Sequence, residues 1–264
     1  MVPTNFRLPI NSPTSPQLFS TQDSFLLVDA LAEEWSTTLR HRPPKTIVEV
    51  GCGTGYVITS AAGLAEEHGS WVRGDTSEAK MDENELRDHA DSESTSFYAT
   101  DLNSDALPCC ASTWSNHGFG DLTSRYCFYG ANKTQGFDAF ACGDSFTAIF
   151  CDLLGPLESH LDGKVDLLLF NPPYVLTPSE EVERGGVAAA WAGGIDGREV
   201  TDQLLPKVFD VLAPGGTFML ILLEQNKPRE VVAILEGYGL ECEIVKSTSA
   251  DEERLHVLRV RKPL

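Results

Sequence analysis

The stretch Thr46-Ile-Val-Glu-Val50, followed at once by Gly51-Cys-Gly-Thr-Gly55, decides the fold. Thr46, Ile47, Val48 and Val50 are β-branched and suit a buried strand. Three glycines in the next five residues demand a sharp turn, and residues 57–67 then carry a helical pattern. A strand turning on glycines into a helix opens a doubly wound α/β sheet, and such glycines let backbone approach a ligand. A dinucleotide fingerprint would need a third glycine where Tyr56 or Ile58 stands. A plain structural turn stays open from this stretch alone.

Outward from it, strands alternate with helices. Upstream, residues 23–39 place Phe25, Val28, Leu31, Ala32 and Trp35 at helical spacing, and Pro43-Pro44 then halts the chain. Downstream, the pattern predicts strands at 96–100, 145–151, 165–170, 217–223, 240–246 and 255–261, with helices at 197–212 and 228–236. With the first strand that makes seven, and the alternation implies a mostly parallel sheet covered on both faces. Two polar stretches, 68–95 and 108–144, interrupt the pattern as insertions; the aromatics of the second imply that part of it packs. Residues 1–17, rich in Ser and Pro toward their end, read as a disordered tail.

A chain of 264 residues with 42% hydrophobic content fits one sizeable domain. Its longest apolar runs are strand length, far short of a membrane span, and residues 1–12 lack the basic flank and apolar core of a secretory signal. Seven cysteines with no CxxC pair imply reduced thiols, a cytoplasmic or nuclear setting and no bound metal. The formal charge of −19 repels a phosphate backbone, although residues 66–93 alone carry −7 of it.

The strand ends carry the chemistry, because ligands of such sheets sit at the carboxyl ends of the strands. The first strand ends in the glycine turn, the second in Asp101, the third in Asp152 and the fourth in Asn171. An aspartate at the second position can accept from both ribose hydroxyls. Asp152 can accept from an adenine amino group, with Leu153 adding backbone contact. Each aspartate alone is an ordinary loop residue or helix cap; both in order, after consecutive strands, form the signature of a nucleoside-bearing methyl donor, S-adenosylmethionine. Ser24, Glu49, Gly51, Gly53, Gly55, Asp101, Leu102, Asp152, Leu153 and Asn171 are the expected cofactor contacts.

Asn171-Pro-Pro-Tyr174 supplies the other half of the site. An amide nitrogen is a poor nucleophile because its lone pair is delocalised, and acceptors that hold its two N–H groups favour charge developing on it. The Asn171 side-chain carbonyl and the Pro172 backbone carbonyl can serve. Pro172 and Pro173 stiffen the loop and add no competing donor, and Tyr174 can pack on a flat group. Asn171, Pro172 and Tyr174 are therefore the expected catalytic residues, with Pro173 joining them in substrate binding. Glutamine amide and adenine amino groups both suit such a site, and a lysine ammonium, which must first lose a proton, suits it less.

Phe170-Asn-Pro-Pro-Tyr-Val175, Ala190-Trp-Ala-Gly-Gly-Ile-Asp-Gly-Arg-Glu-Val200, Leu212-Ala-Pro-Gly-Gly216 and Arg254-Leu-His-Val-Leu-Arg259 together resemble the HemK-like N5-glutamine methyltransferases, in their eukaryotic and archaeal release-factor branch. The resemblance implies a Rossmann-like class I methyltransferase fold with S-adenosylmethionine as cofactor. It further implies methylation of the glutamine in the Gly-Gly-Gln motif of the class I translation release factor. A small zinc-binding activator protein is implied as partner. The apolar third strand (Phe146, Ala148, Phe150), expected at the sheet edge, offers a place for it to pair. Where this branch carries Glu-Pro-Ala-Glu-Asp-Thr/Ser before the first helix, the chain reads Phe19-Ser-Thr-Gln-Asp23-Ser24, and only Asp23 and Ser24 hold. Nucleic-acid adenine methylation, protein-lysine methylation and a non-enzymatic scaffold are the competing readings.

Overall fold

A computed structural model describes residues 22–71, 95–120, 126–128, 145–184, 190–250 and 253–264. The expected tail 1–17, most of the first insertion and much of the second lie outside them. Eight strands form one sheet in the order β3-β4-β2-β1-β5-β6-β8-β7. They are β1 Thr46–Val50, β2 Ser96–Asp101, β3 Tyr126–Phe128, β4 Phe146–Phe150, β5 Val165–Phe170, β6 Leu212–Leu223, β7 Glu241–Ala250 and β8 Glu253–Arg261. All neighbours pair parallel except β8, which runs antiparallel to both β6 and β7. The seven expected strands are all present.

The eighth, β3, corrects the expected edge. Tyr126 pairs with Ala148, Cys127 with Ile149 and Phe128 with Phe150, so the third expected strand, now β4, is flanked on both sides. Its apolar side chains face inward: Phe146 stacks on Trp114 with ring centroids 4.3 Å apart, and Phe146 and Ala148 are buried.

Five helices matter for the site: α1 Gln22–Thr37, α2 Tyr56–Glu67, α3 Ala106–Asn116, α4 Glu199–Val211 and α5 Pro228–Gly237. Helix α3 lies where the sequence pattern reads as insertion. Its buried positions, Ala106, Leu107, Cys110, Ala111, Thr113 and Trp114, do recur at helical spacing. Small and weakly apolar residues fill that face, and Pro108 sits in the first turn, where its missing N–H costs nothing. Trp114 joins Trp71, Phe97, Phe119 and Phe146 in an aromatic cluster, with neighbouring ring centroids 4.3 to 5.9 Å apart. The remaining core divides between the two faces of the sheet, with α1 and α2 on one and α4 and α5 on the other.

Helix α1 is fixed to the sheet by charge as well as apolar contact. Glu34, 4% exposed, accepts from Arg259 at 2.7 Å and also from Arg261, which in addition donates to Thr38 at 3.0 Å. Burial alone would raise the Glu34 carboxyl, but the hydrogen bonds and charges of the two arginines outweigh it and hold the group below its ordinary value. A carboxyl depressed in the folded state stabilises it fully above the unfolded value, and the contribution fades as pH falls through the folded one. Glu34→Gln should therefore cost about 1.5–3 kcal/mol at neutral pH, because it takes the buried carboxylate from two half-buried guanidinium groups. Thermal melts should show the deficit against the parent shrinking below roughly pH 4; a deficit independent of pH would remove the ion cluster from the account.

Candidate active site

Because β4, β2, β1 and β5 are adjacent, their carboxyl ends form a row. Asp152 follows β4, Asp101 ends β2, the glycine turn follows β1 and Asn171 follows β5. At ~4.8 Å between strands the row spans roughly 14 Å. It forms the floor of a cavity of about 720 Å³. Of the expected site residues, Ser24, Glu49, Gly51, Gly53, Asp101, Leu102, Asp152 and Leu153 line it, as do all four residues of the Asn171–Tyr174 loop.

Gly55 is the exception. All three glycines have positive φ, at 65°, 50° and 74° for Gly51, Gly53 and Gly55. Their surroundings differ, however. A Cβ on Gly55 would lie 2.6 Å from Cys110 Sγ and 2.7 Å from Cys110 Cα, so this glycine serves the close approach of α3. A Cβ on Gly53 would meet no protein atom within 4 Å: that side of the turn opens to the cavity.

Asp101 holds the turn from below. One carboxylate oxygen accepts from Gly53 N–H and the other from Asn103 N–H, each at 2.8 Å. Burial pushes its carboxyl above the ordinary value, against the pull of the backbone donors. A carboxylate has about four acceptor sites, more than these backbone donors fill, which leaves capacity for a ribose hydroxyl. Glu49 is placed differently. It is buried, and its carboxyl oxygen accepts from Ile58 N–H at 2.9 Å, bracing the start of α2. Burial pushes that carboxyl well up. Leu153 adopts φ 47°, a conformation rare outside glycine. Such strain is characteristic of backbone held for a purpose.

At the other end of the row, the first turn of α1 grips the Asn171–Tyr174 loop. Asn171 Nδ2 donates to Ser24 Oγ at 3.1 Å, and the Tyr174 hydroxyl donates to Asp23. This leaves Asn171 Oδ1 buried with no hydrogen-bond partner. A buried carbonyl left unpaired costs about 1–3 kcal/mol, so its persistence marks it as an acceptor awaiting a donor. Burial, then the Asp23 carboxylate, pushes the Tyr174 phenol above its ordinary value, which keeps it a donor.

The stretch from Ala190 to Val200 backs this loop. Val175 N–H donates to Trp191 O at 3.0 Å, Gly193 N–H to Val175 O at 2.8 Å and Thr177 N–H to Gly194 O at 3.0 Å. A Cβ on Gly193 would fall 2.6 Å from Pro173 O, and one on Gly197 2.1 Å from Tyr174 O. The glycines of that motif are therefore the space in which the target loop lies. Asn226, at the end of β6, drew no attention in sequence. It is fully buried, and its Nδ2 donates to Tyr174 O and to Asp196 O, each at 2.9 Å.

The donor set fits S-adenosylmethionine: carboxylates at two consecutive strand ends, an open glycine face between them and an unpartnered amide oxygen beyond. No protein-family model matches the chain. It is 31% identical to human Methyltransferase HEMK2 over 267 residues, spanning 99% of this chain and 100% of that one. It is also 39% identical over 109 residues to the eRF1 methyltransferase catalytic subunit mtq2 of Schizosaccharomyces pombe, covering 39% and 47% of the two chains. Among solved structures, the E. cuniculi Mtq2-Trm112 complex, which is responsible for methylation of the eRF1 translation termination factor, matches in fold. Its TM-score is 0.52 at 22% identity, over 92% of this chain and 97% of that one.

Two glycine substitutions separate the roles of the turn. Gly55→Ala should lower the melting temperature sharply, since it adds a clash to the ~1–2 kcal/mol cost of a left-handed side chain. Gly53→Ala should carry only that backbone cost, yet weaken S-adenosylmethionine binding by about tenfold or more, ~1.4 kcal/mol. Calorimetry on both variants checks this; equal affinity losses would show that Gly53 does not face the cofactor. Fold, site and full-length likeness agree: the chain belongs to the HemK-like HEMK2 family of S-adenosylmethionine-dependent methyltransferases.

Proposed function

We propose that this methyltransferase transfers the methyl of S-adenosylmethionine to the side-chain amide nitrogen of the glutamine in the Gly-Gly-Gln motif of the class I translation release factor. The buried, unpartnered Asn171 Oδ1 carries the reading. Its Nδ2 is engaged by Ser24, so it presents an acceptor and no donor to an incoming group. That polarity matches an NH2 group whose two N–H donors need acceptors as the methyl arrives on nitrogen, the thioether leaves and one proton then passes to solvent. Pro172 O provides the second acceptor, and Tyr174 walls the pocket on the side of α1.

Cofactor contacts follow the row. Asp101 takes the ribose hydroxyls, Asp152 and the Leu153 backbone the adenine, and Gly51 and Gly53 admit the donor's amino-acid end. S-adenosylmethionine supplies an electrophilic methyl on a sulfonium, so the leaving group needs no further activation. The protein's task is positioning, which can supply about 7–11 kcal/mol of barrier reduction. Asn171 Oδ1 and Pro172 O orient the amide and stabilise positive charge developing on nitrogen. Among the described residues, the groups nearest Asn171 Oδ1 offer no free base for a lysine ammonium: Tyr174 is held protonated and Asp23 is engaged by its hydroxyl. The charge of −19 disfavours DNA. The names of the fission-yeast relative and of the crystallised complex point to the same substrate.

The same complex supports a partner protein; we propose in addition that this partner is small, binds zinc and docks at the β3–β4 end of the sheet, in a cytoplasmic or nuclear setting. Co-expression with the activator should raise soluble yield and activity severalfold; equal yield and activity without it would remove the partner from the proposal.

The substrate assignment is tested with labelled cofactor, the activated enzyme, the release factor, its Gln-to-Ala version and DNA. Label should require the glutamine, and label on DNA alone would replace this reading with adenine methylation. Asn171→Ala should lower the turnover number by about 10²–10³-fold, as loss of one charge-stabilising group does. Cofactor affinity should change little; parallel loss of both would place Asn171 in cofactor binding instead.

A further inference from the structure

The target loop is held from behind by a residue that no motif marks. Asn226 ends the short 3-10 turn Glu224–Asn226 that closes β6. Its Oδ1 accepts from Leu223 N–H at 2.6 Å, which fixes the amide's orientation. Its Nδ2 then points at Tyr174 O and Asp196 O, both at 2.9 Å. The donor thereby joins three segments 30 and 52 residues apart in sequence: the end of β6, the turn Ile195–Gly197 and the target loop. Asp196 is itself held at φ 56° and paired through its carboxylate with Lys227 at 2.7 Å. The absent Cβ of Gly197 makes room for both Tyr174 O and Asn226 Nδ2, which such an atom would approach to 2.1 and 2.4 Å.

From this geometry we infer that Asn226 is a positioning residue for methyl transfer, setting the depth of the Asn171–Tyr174 loop through the Tyr174 carbonyl. It touches neither cofactor nor substrate: it is absent from the cavity lining, and it acts through Tyr174. The loop is gripped by its side chains from α1 and by its backbone from Asn226. Removing the backbone grip lets the Tyr174 peptide move while the glycine turn and Asp101, on β1 and β2, keep their own bonds. The effect therefore falls on turnover and spares cofactor affinity. This inference rests on the glutamine-amide reading only for the choice of assay.

Asn226→Asp is the informative variant. It keeps the acceptor for Leu223 N–H and nearly the same shape, but at neutral pH it sets a carboxylate against two carbonyls. Protonation restores one donor, and burial favours the protonated form. Against wild type, turnover on the release factor at pH 8 should fall about 30- to 100-fold, the scale of a small misplacement. Calorimetric cofactor Kd should stay within about twofold, and the variant-to-parent turnover ratio should rise about fivefold or more between pH 8 and pH 6 as the donor returns. The titratable neighbours, Asp23 on α1, Asp196 and Lys227, Glu224 and His256, and Arg198 and Glu230, are common to both proteins. Their titration divides out of the ratio.

Asn226→Ser, neutral and unable to serve both contacts at once, keeps the test open if the aspartate variant is insoluble at pH 8. It should lose turnover with cofactor Kd unchanged and show a pH-independent ratio. Parent-like turnover in either soluble variant, loss of cofactor affinity in step with turnover, or a flat ratio for a soluble aspartate variant would overturn the inference. Failure of wild type to label the glutamine would instead strike the substrate assignment. The pH ratio could then be read on whichever substrate the enzyme does label.

Discussion

Pro172 and Pro173 have no N–H to give, and the rest of the active site is organised around that deficit. A loop cannot anchor itself in a ladder through residues without donors, so other segments must supply its restraints. Ser24 and Asp23 hold the side chains of Asn171 and Tyr174, and Asn226 holds the Tyr174 carbonyl. The Val175 backbone pairs with Trp191 and Gly193. The same deficit is useful chemically. With no N–H at either proline, the target's N–H groups face no competing donor for the acceptors beside them.

Restraint from outside explains why the stretch after the target loop is so rich in glycine. Gly193 and Gly197 leave room for Pro173 O and Tyr174 O, respectively, where any side chain would collide. Sequence reading assigned that stretch by resemblance; packing now accounts for it, as the wall against which the target loop is cast. The glycine turn after β1 divides in the same way, with Gly53 open to the cavity and Gly55 pressed against Cys110. Identical residues two positions apart on the same motif answer to different neighbours, one to the cavity and one to a helix.

The legible part of this protein was whatever repeats locally. The strands that build the parallel sheet announce themselves by apolar runs, and their ends by Asp101, Asp152 and Asn171. What escaped was small, or was meaningful only in three dimensions. Strand β3 has three residues, too few for a period, and it displaces β4 from the edge. Helix α3 hides its period behind cysteine, alanine and threonine, with Pro108 in its first turn. Asn226 was out of reach because one asparagine after a strand is an ordinary turn residue until Tyr174 O is seen 2.9 Å from its amide. Glu49, expected as a cofactor contact from its place in the motif, lines the cavity while one of its carboxyl oxygens braces Ile58 N–H, a second task that only the fold reveals.

Helix α1 ties the stability of the molecule to the geometry of the target. Its 16 residues span about 24 Å. Its first turn touches Asn171 and Tyr174, and three turns on Glu34 is locked between Arg259 and Arg261 of β8. The locked end and the buried face of Leu27, Leu31 and Trp35 together place the gripping end, because two side-chain contacts at a helix terminus do not orient a helix alone. Strand β8 therefore participates in holding the target loop, by way of one buried carboxylate. The cofactor row depends less on this helix, since the bonds at Gly53 and Asp101 lie within β1, β2 and the turns that follow them. Loosening α1 would thus be felt first where the methyl is received, and last where it is supplied.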